Sequence, residues 1–382
     1  MKRTTFLILC FEGAVLSFNV AATAALIPAI ADDLGASPFT LGALIWLYMV
    51  PYGVAALLYG PLVRTFNART IELVCFFLFS LANLLAGLST GVGMLCAARF
   101  CMGVFGASVI PLVLIIIARG ASQERRGKLV GIFFSATFAA SLAGLVLSGV
   151  LNWRLIYLIP AFAGLPVLSA MYFFLPDFET EKGKLRFMYV SALKDRRVLR
   201  IFIYIFLISL LYHGVQQWLA VYFSVRFSLP QFLISMLITL TSLSGIFGEA
   251  IGGYLCDIIG RPHTVNIGIS LMAASVFLLL AGLPPLLLAV LMIAWGLGWT
   301  FNHAGLSTIL TDLPEGFLNE AASLNSGVRF LAGGLGVAVA GMLMQKNFVF
   351  GLSVFGSGLL ALLSVNRFFI FHNVREERWR AD

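Results

Sequence analysis

Residues 198–223 read VLRIFIYIFLISLLYHGVQQWLAVYF, a stretch whose one charge is Arg200 and whose polar side chains gather at His213, Gln216 and Gln217. A helix of about twenty apolar residues crosses the ~30 Å hydrocarbon core of a bilayer, so this stretch is long enough to span. Residues 6–31, FLILCFEGAVLSFNVAATAALIPAIA, read the same way, with Glu12 as the single charge before the end of the stretch, and similar segments recur to the end of the chain. Over 382 residues the composition is 60% hydrophobic and 11% charged, with a mean hydropathy of +0.99. That leaves too little polar surface to coat a water-soluble globule, and it excludes a soluble enzyme carrying one anchor.

Turn signals and charge clusters divide the chain into twelve expected spans, at 5–31, 39–62, 70–90, 92–118, 127–151, 155–175, 198–223, 231–256, 264–283, 284–311, 319–344 and 347–371. Each must be helical. A backbone in lipid has to satisfy its own hydrogen bonds, and these segments are too long and too uniformly apolar for barrel strands. The expected fold is an all-α membrane protein of twelve transmembrane helices. Met1-Lys2-Arg3 before an apolar run resembles a secretory signal, but the run passes twenty residues and holds Glu12, so it reads as a retained first span.

Lysine and arginine give the orientation. With the N-terminus inside, twenty of them fall on the cytoplasmic side and only Arg154, Arg226 and Lys346 outside, while Arg99 and Arg329 lie within spans. Both termini are therefore expected in the cytoplasm, and the membrane is expected to be the inner (plasma) membrane of a prokaryote. The net charge of +8 is explained by this topology. No basic stripe with interleaved aromatics offers a nucleic-acid surface. The five cysteines are odd in number, lie in or at the ends of apolar segments and form no CxxC pair, so neither a disulfide framework nor a metal site is indicated.

One long polar segment, DFETEKGKLRFMYVSALKDRR at 177–197, separates two halves that repeat. Gly60 and Gly253, 193 positions apart, head corresponding loops, and the same offset carries Gly103 onto Gly296. The expected organisation is two pseudo-symmetric six-helix bundles over 1–175 and 198–382, the second with a cytoplasmic tail, joined by a linker over 176–197. Duplicated bundles commonly place a transport site between the repeats.

Glu12 lies about 10 Å into its span at 1.5 Å per residue, where a carboxylate is costly unless it is neutral, paired or wetted. It is the candidate proton carrier, with a structural carboxyl as the alternative. Asn19 continues its face. Arg99 is equally out of place in lipid and is assigned to coupling with Glu12, with packing or anion binding as alternatives. His213, Gln216 and Gln217 at i, i+3 and i+4, and Trp295, Trp299, Asn302 and His303 in the corresponding span of the second half, form two polar-aromatic faces suited to an amphipathic or aromatic solute. Glu249 and Arg329 must also be satisfied, as functional charges or as packing pairs. Nothing resembles a phosphate-binding loop, and no nucleophile, base and orienting group stand in a recognisable motif, so neither ATP hydrolysis nor an enzyme is indicated, and no cofactor is called for.

These motifs resemble those of the major facilitator superfamily over essentially the whole chain. Its loop motif G-x-L-x-D-x-x-G-R stands at Gly253, Leu255, Asp257, Gly260 and Arg261; Arg99 to Gly103 resembles its R-x-x-x-G element, and Asn152-Trp153-Arg154 its W-R motif. ALIPAIADDLG and the eleventh span, ASLNSGVRFLAGGLGVAVAG, are similar to its drug-exporter branch. The resemblance implies alternating access and export of a small organic solute in exchange for protons, by a chain expected to act as a monomer. Uptake or proton-independent diffusion of a metabolite is the alternative, and a non-transporting sensor a third reading. In two places the sequence departs from the pattern. The first loop copy keeps Gly60 and Leu62, with Arg69 beyond them, but has Arg64 where the acid is expected; the fifth span has Gly144 and Gly149 but no Gly-Pro pair. Cytoplasmic gating is assigned to Arg126, Asp257 and Arg261, with Arg64 as a charge-swapped latch that pairs with Glu315 or Glu320.

Overall fold

The computed structural model describes residues 2–177, 189–311, 318–366 and 369, and within these leaves out the side chains of 63, 64, 123, 124, 190–192, 308, 311 and 318–323. The described residues form helices joined by short turns, with no strand among them. In order the helices are α1 (Arg3–Ser17), α2 (Ala22–Leu34), α3 (Pro38–Leu41), α4 (Ala43–Thr65), α5 (Ala68–Gly87), α6 (Val92–Gly106), α7 (Val109–Gly120), α8 (Gln123–Ser148) and α9 (Trp153–Phe174). After them come α10 (Tyr189–Lys194), α11 (Arg196–Gln216), α12 (Leu219–Phe227), α13 (Gln231–Ile258), α14 (Arg261–Leu279), α15 (Pro285–Thr311), α16 (Leu318–Lys346) and α17 (Phe348–Asn366). Eleven spans among the described residues are long and apolar enough to cross a membrane, and twelve with the bent pair α1–α2. Each expected span falls within about four residues of an observed one, the end of the last, at 371, lying outside the described residues.

Several helix starts follow from capping side chains, which satisfy backbone N–H groups that the helix itself cannot. Asn67 accepts from the amides of Arg69 and Thr70 to open α5, Asn152 from Arg154 to open α9, and Asp195 from Arg197 and Val198 to open α11. Gly260 has φ +87°, a conformation that side chains disfavour, and it turns the chain from α13 into α14.

The first span is not one helix. It breaks between Ser17 and Ala22, and α1 and α2 meet at 40°. Asn19 is held at the break: its backbone carbonyl accepts from both the Thr23 amide at 3.0 Å and the Thr23 hydroxyl at 2.8 Å, and its side-chain amide donates to Asn83 Oδ1. At the same level Gly144 of α8 lets α1 approach so closely that a Cβ there would stand 1.7 Å from the Phe18 carbonyl oxygen.

Contacts divide the chain into two compact units, residues 1–187 with 223–235, and 188–222 with 236–382. In the first, α1 packs on α8, and α5 on both α6 and α9; in the second, α11 packs on α16, and α14 on both α15 and α17. These are the same pairings by position in each set of six spans: first with fifth, third with fourth, third with sixth. The duplicated pattern in the sequence is a duplicated packing scheme.

Candidate functional site

In the first unit Glu12 on α1 and Glu72, one turn into α5, are both 0% exposed. Their carboxyl groups lie beside each other, and among the described residues no side chain or backbone group donates a hydrogen bond to any of their four oxygens. A hydrogen bond between two carboxyls needs a proton, because an ionised carboxylate can only accept. With both ionised, four acceptors and two like charges would be buried without a donor. With one proton, one O–H donates to the facing carboxylate. Two buried carboxyls so placed are satisfied when they share one proton.

Arg99, expected to act on Glu12, does not pair with it. It is 1% exposed, donates from Nε to the Leu44 carbonyl at 2.9 Å, and holds its guanidinium carbon 4.2 Å from the Tyr48 ring centroid. The reason is that α6 faces α4 at this level. One turn on, Gly103 meets Tyr48 so closely that a Cβ would lie 2.4 Å from its carbonyl oxygen. Arginine and glycine four residues apart thus meet two α4 carbonyls four residues apart, and Glu72 occupies the place beside Glu12 that was expected for Arg99. Asn19 is fully buried against Asn83.

In the second unit most of the expected polar-aromatic residues come together. Trp295 Nε1 donates to Gln216 Oε1 at 2.7 Å, and Gln216 Nε2 donates to the Thr241 hydroxyl at 3.2 Å. Gln217 Nε2 lies 3.5 Å from His213 Nδ1. Tyr212 stacks on Trp299 with centroids 3.9 Å apart and planes 11° apart, and on Trp295 at 5.2 Å, while His213 meets Trp299 edge-on. His303 Nδ1 stands 2.7 Å from Glu249 Oε1 without an aligned hydrogen bond. Arg329 on α16 places its guanidinium carbon 5.6 Å from the Trp299 centroid. Asn302 is not brought to this cluster. Trp295, Trp299 and His303 recur every four residues and share a face, whereas Asn302 falls to its side, 0% exposed, donating to the Tyr204 hydroxyl at 2.7 Å and packed on Gly268.

Of the gating residues, the side chains of Arg64 and Glu320 lie outside the described residues, as does Glu315. Arg126, near the start of α8, is exposed and donates to the Ala121 carbonyl at 3.2 Å. Asp257 is exposed in the last turn of α13, and Arg261 is half-buried at the start of α14. The W-R motif fastens the far end of α2: Trp153 Nε1 and the Arg154 guanidinium both donate to Asp33 Oδ2, and Arg154 also reaches the Ser89 carbonyl at 3.3 Å.

The residues missed from sequence are Glu72 and Tyr212. Glu72 carried the same signal as Glu12, an acid in an apolar run, but it stands only two residues inside the expected span 70–90 and was not singled out. Tyr212 carried none, since a stacked tyrosine and a lipid-facing one look alike in sequence.

Twelve apolar spans holding buried charges define a multi-pass membrane protein. The chain matches the model of the Major Facilitator Superfamily over residues 9–341 and belongs to that family of membrane transporters, so it is a transporter and not an enzyme. Among its relatives is YbcL of Bacillus subtilis (strain 168), an uncharacterized MFS-type transporter, 24% identical over 344 residues that cover 87% of this chain and 88% of that one. The cephamycin export protein CmcT of Amycolatopsis lactamdurans is 28% identical over 171 residues, 43% of this chain and 35% of its own length. Among solved structures, a POT family transporter in complex with 5-aminolevulinic acid superposes with a TM-score of 0.79 over 96% of both chains at 13% identity, which establishes the shared fold.

Proposed function

We propose that the protein exports a small amphipathic or aromatic solute across the inner membrane in exchange for protons, by alternating access between its two six-helix halves. The observation that carries this reading is the Glu12–Glu72 pair, two buried carboxyls side by side whose four oxygens have no hydrogen-bond donor among the described residues, an arrangement that favours a bound proton. Glu12 is the carrier and Glu72 its partner; Arg99 holds α6 to α4. His213, Gln216, Gln217, Trp295, Trp299 and His303 face the solute. CmcT, a partial relative, is an export protein, and this favours the outward direction. Both termini lie in the cytoplasm, the chain works as a monomer, and Arg64 with Glu320 closes the cytoplasmic gate alongside Arg126, Asp257 and Arg261.

The test is proton movement in proteoliposomes containing a pH dye, challenged with a panel of aromatic acids, amines and neutral ring compounds. Wild type is expected to give solute-triggered proton flux, Glu12→Gln none, and Glu72→Gln a strongly reduced flux, because an amide can donate to Glu12 but cannot share its proton. Uphill, proton-dependent transport by Glu12→Gln would defeat the assignment. The missing Gly-Pro pair in α8 favours a second reading, a facilitator or uptake carrier with Glu12 structural. Solute movement without proton flux in all three proteins would establish it, and the direction of any flux separates export from uptake.

A further inference from the structure

Arg329 is left with work to do. It is 8% exposed, its Nε donates to Asn325 Oδ1 at 2.7 Å, and both terminal nitrogens of its guanidinium are buried without a hydrogen-bond partner. Glu249 acts on it electrostatically but forms no ion pair with it, its Oε1 lying 2.7 Å from His303 Nδ1. A buried arginine is ordinarily matched by a carboxylate or by carbonyls, since each unpaired N–H costs free energy. Here the two nitrogens that form the guanidinium fork, the geometry that accepts a carboxylate through two parallel bonds, are the ones left over. Beside the fork stand flat apolar surfaces: Trp299, half-buried, with Tyr212 stacked on it and His213 edge-on.

We infer that Arg329 is the recognition group for an anionic solute, and that the second unit binds an organic carboxylate whose ring packs beside the Trp299–Tyr212 stack. This rests on the transporter reading above and narrows its substrate class from amphipathic solutes to aromatic or other ring-bearing acids. The carboxylate takes one N–H from each of the two free nitrogens and neutralises the guanidinium, and the ring gains the aromatic surface. A neutral analogue keeps only the second contribution. An amine loses the first and meets a like charge.

The probes are naphthalene-2-carboxylate and naphthalene-2-carboxamide, nearly equal in shape, with binding to the purified full chain in detergent followed by calorimetry and by tryptophan fluorescence with no ion gradient. Wild type should bind the acid at least about tenfold more tightly than the amide, the return on a charge-assisted bidentate contact. Arg329→Gln should bring the acid down to the affinity of the amide while leaving the amide unchanged, which also shows that the variant is folded. Arg329→Lys should fall between, because it keeps the charge and loses the fork. Acid and amide binding equally to wild type, binding of neither up to about 10 mM, or an acid preference that survives in Arg329→Gln would each overturn the inference. Glu12→Gln should keep the full preference, since equilibrium binding moves no proton across the membrane. A failure of proton exchange therefore leaves this result standing, and proton flux driven only by amines or neutral rings would sustain the exchanger and sink the anion site.

Discussion

Replacing Gly144 with alanine tests the packing that positions Glu12. A Cβ at this position would stand 1.7 Å from the Phe18 carbonyl oxygen and 2.8 Å from its carbon. An ordinary contact of about 3.3 Å needs the backbones of α8 and α1 to separate by about 1.5 Å, and the obstacle is backbone, which has no rotamer to escape into. Overpacking commonly costs 1–3 kcal/mol, and with backbone against backbone the upper end, about 3 kcal/mol, is expected. At roughly 2–4 °C per kcal/mol for a unit of this size, the melting temperature should fall by about 6–12 °C. The same helix supplies the control. Gly131 is exposed and has nothing within 4 Å of where its Cβ would be, so Gly131→Ala should gain the ~0.5–1 kcal/mol that alanine enjoys over glycine within a helix. Thermal melts of both variants in one detergent, followed by intrinsic fluorescence, therefore move in opposite directions. A Gly144→Ala protein that melts at or above wild type would refute the close approach of α1 to α8 at Phe18.

Arg99→Met should leave stability within about 1 kcal/mol of wild type or raise it, because the lost cation–π contact and hydrogen bond are offset by removing a buried charge; a loss of about 3 kcal/mol or more in the same melts would make Arg99 a fold-holding residue. Tyr204→Phe strips the fully buried Asn302 amide of its acceptor at 2.7 Å, and should cost about 1–2 kcal/mol. The double variant Tyr204→Phe with Asn302→Leu should recover part of that loss, and failure to recover any would show that the hydroxyl contributes through packing alone.

The number, length and helical character of the spans were fixed by composition, since a bilayer demands about twenty apolar residues and internally satisfied backbone. The repeat was equally legible: Gly60 with Gly253 and Gly103 with Gly296 mark two copies of one unit, and the two units pack by one scheme. Glu12, Arg99, His213, Trp299 and Arg329 were visible as polar or aromatic groups with no business in lipid. Which of them meet was not visible, because i, i+3 and i+4 spacing assigns faces within one helix and is silent about the helix opposite. Only the packing of α6 on α4 spent Arg99 on the Leu44 carbonyl and left Glu12 to Glu72, and only the turn of α15 sent Asn302 to Tyr204 rather than to Trp299. A buried charge announces itself in sequence because its cost is local; its partner does not, because the partner is chosen by the rotation of a helix elsewhere in the chain.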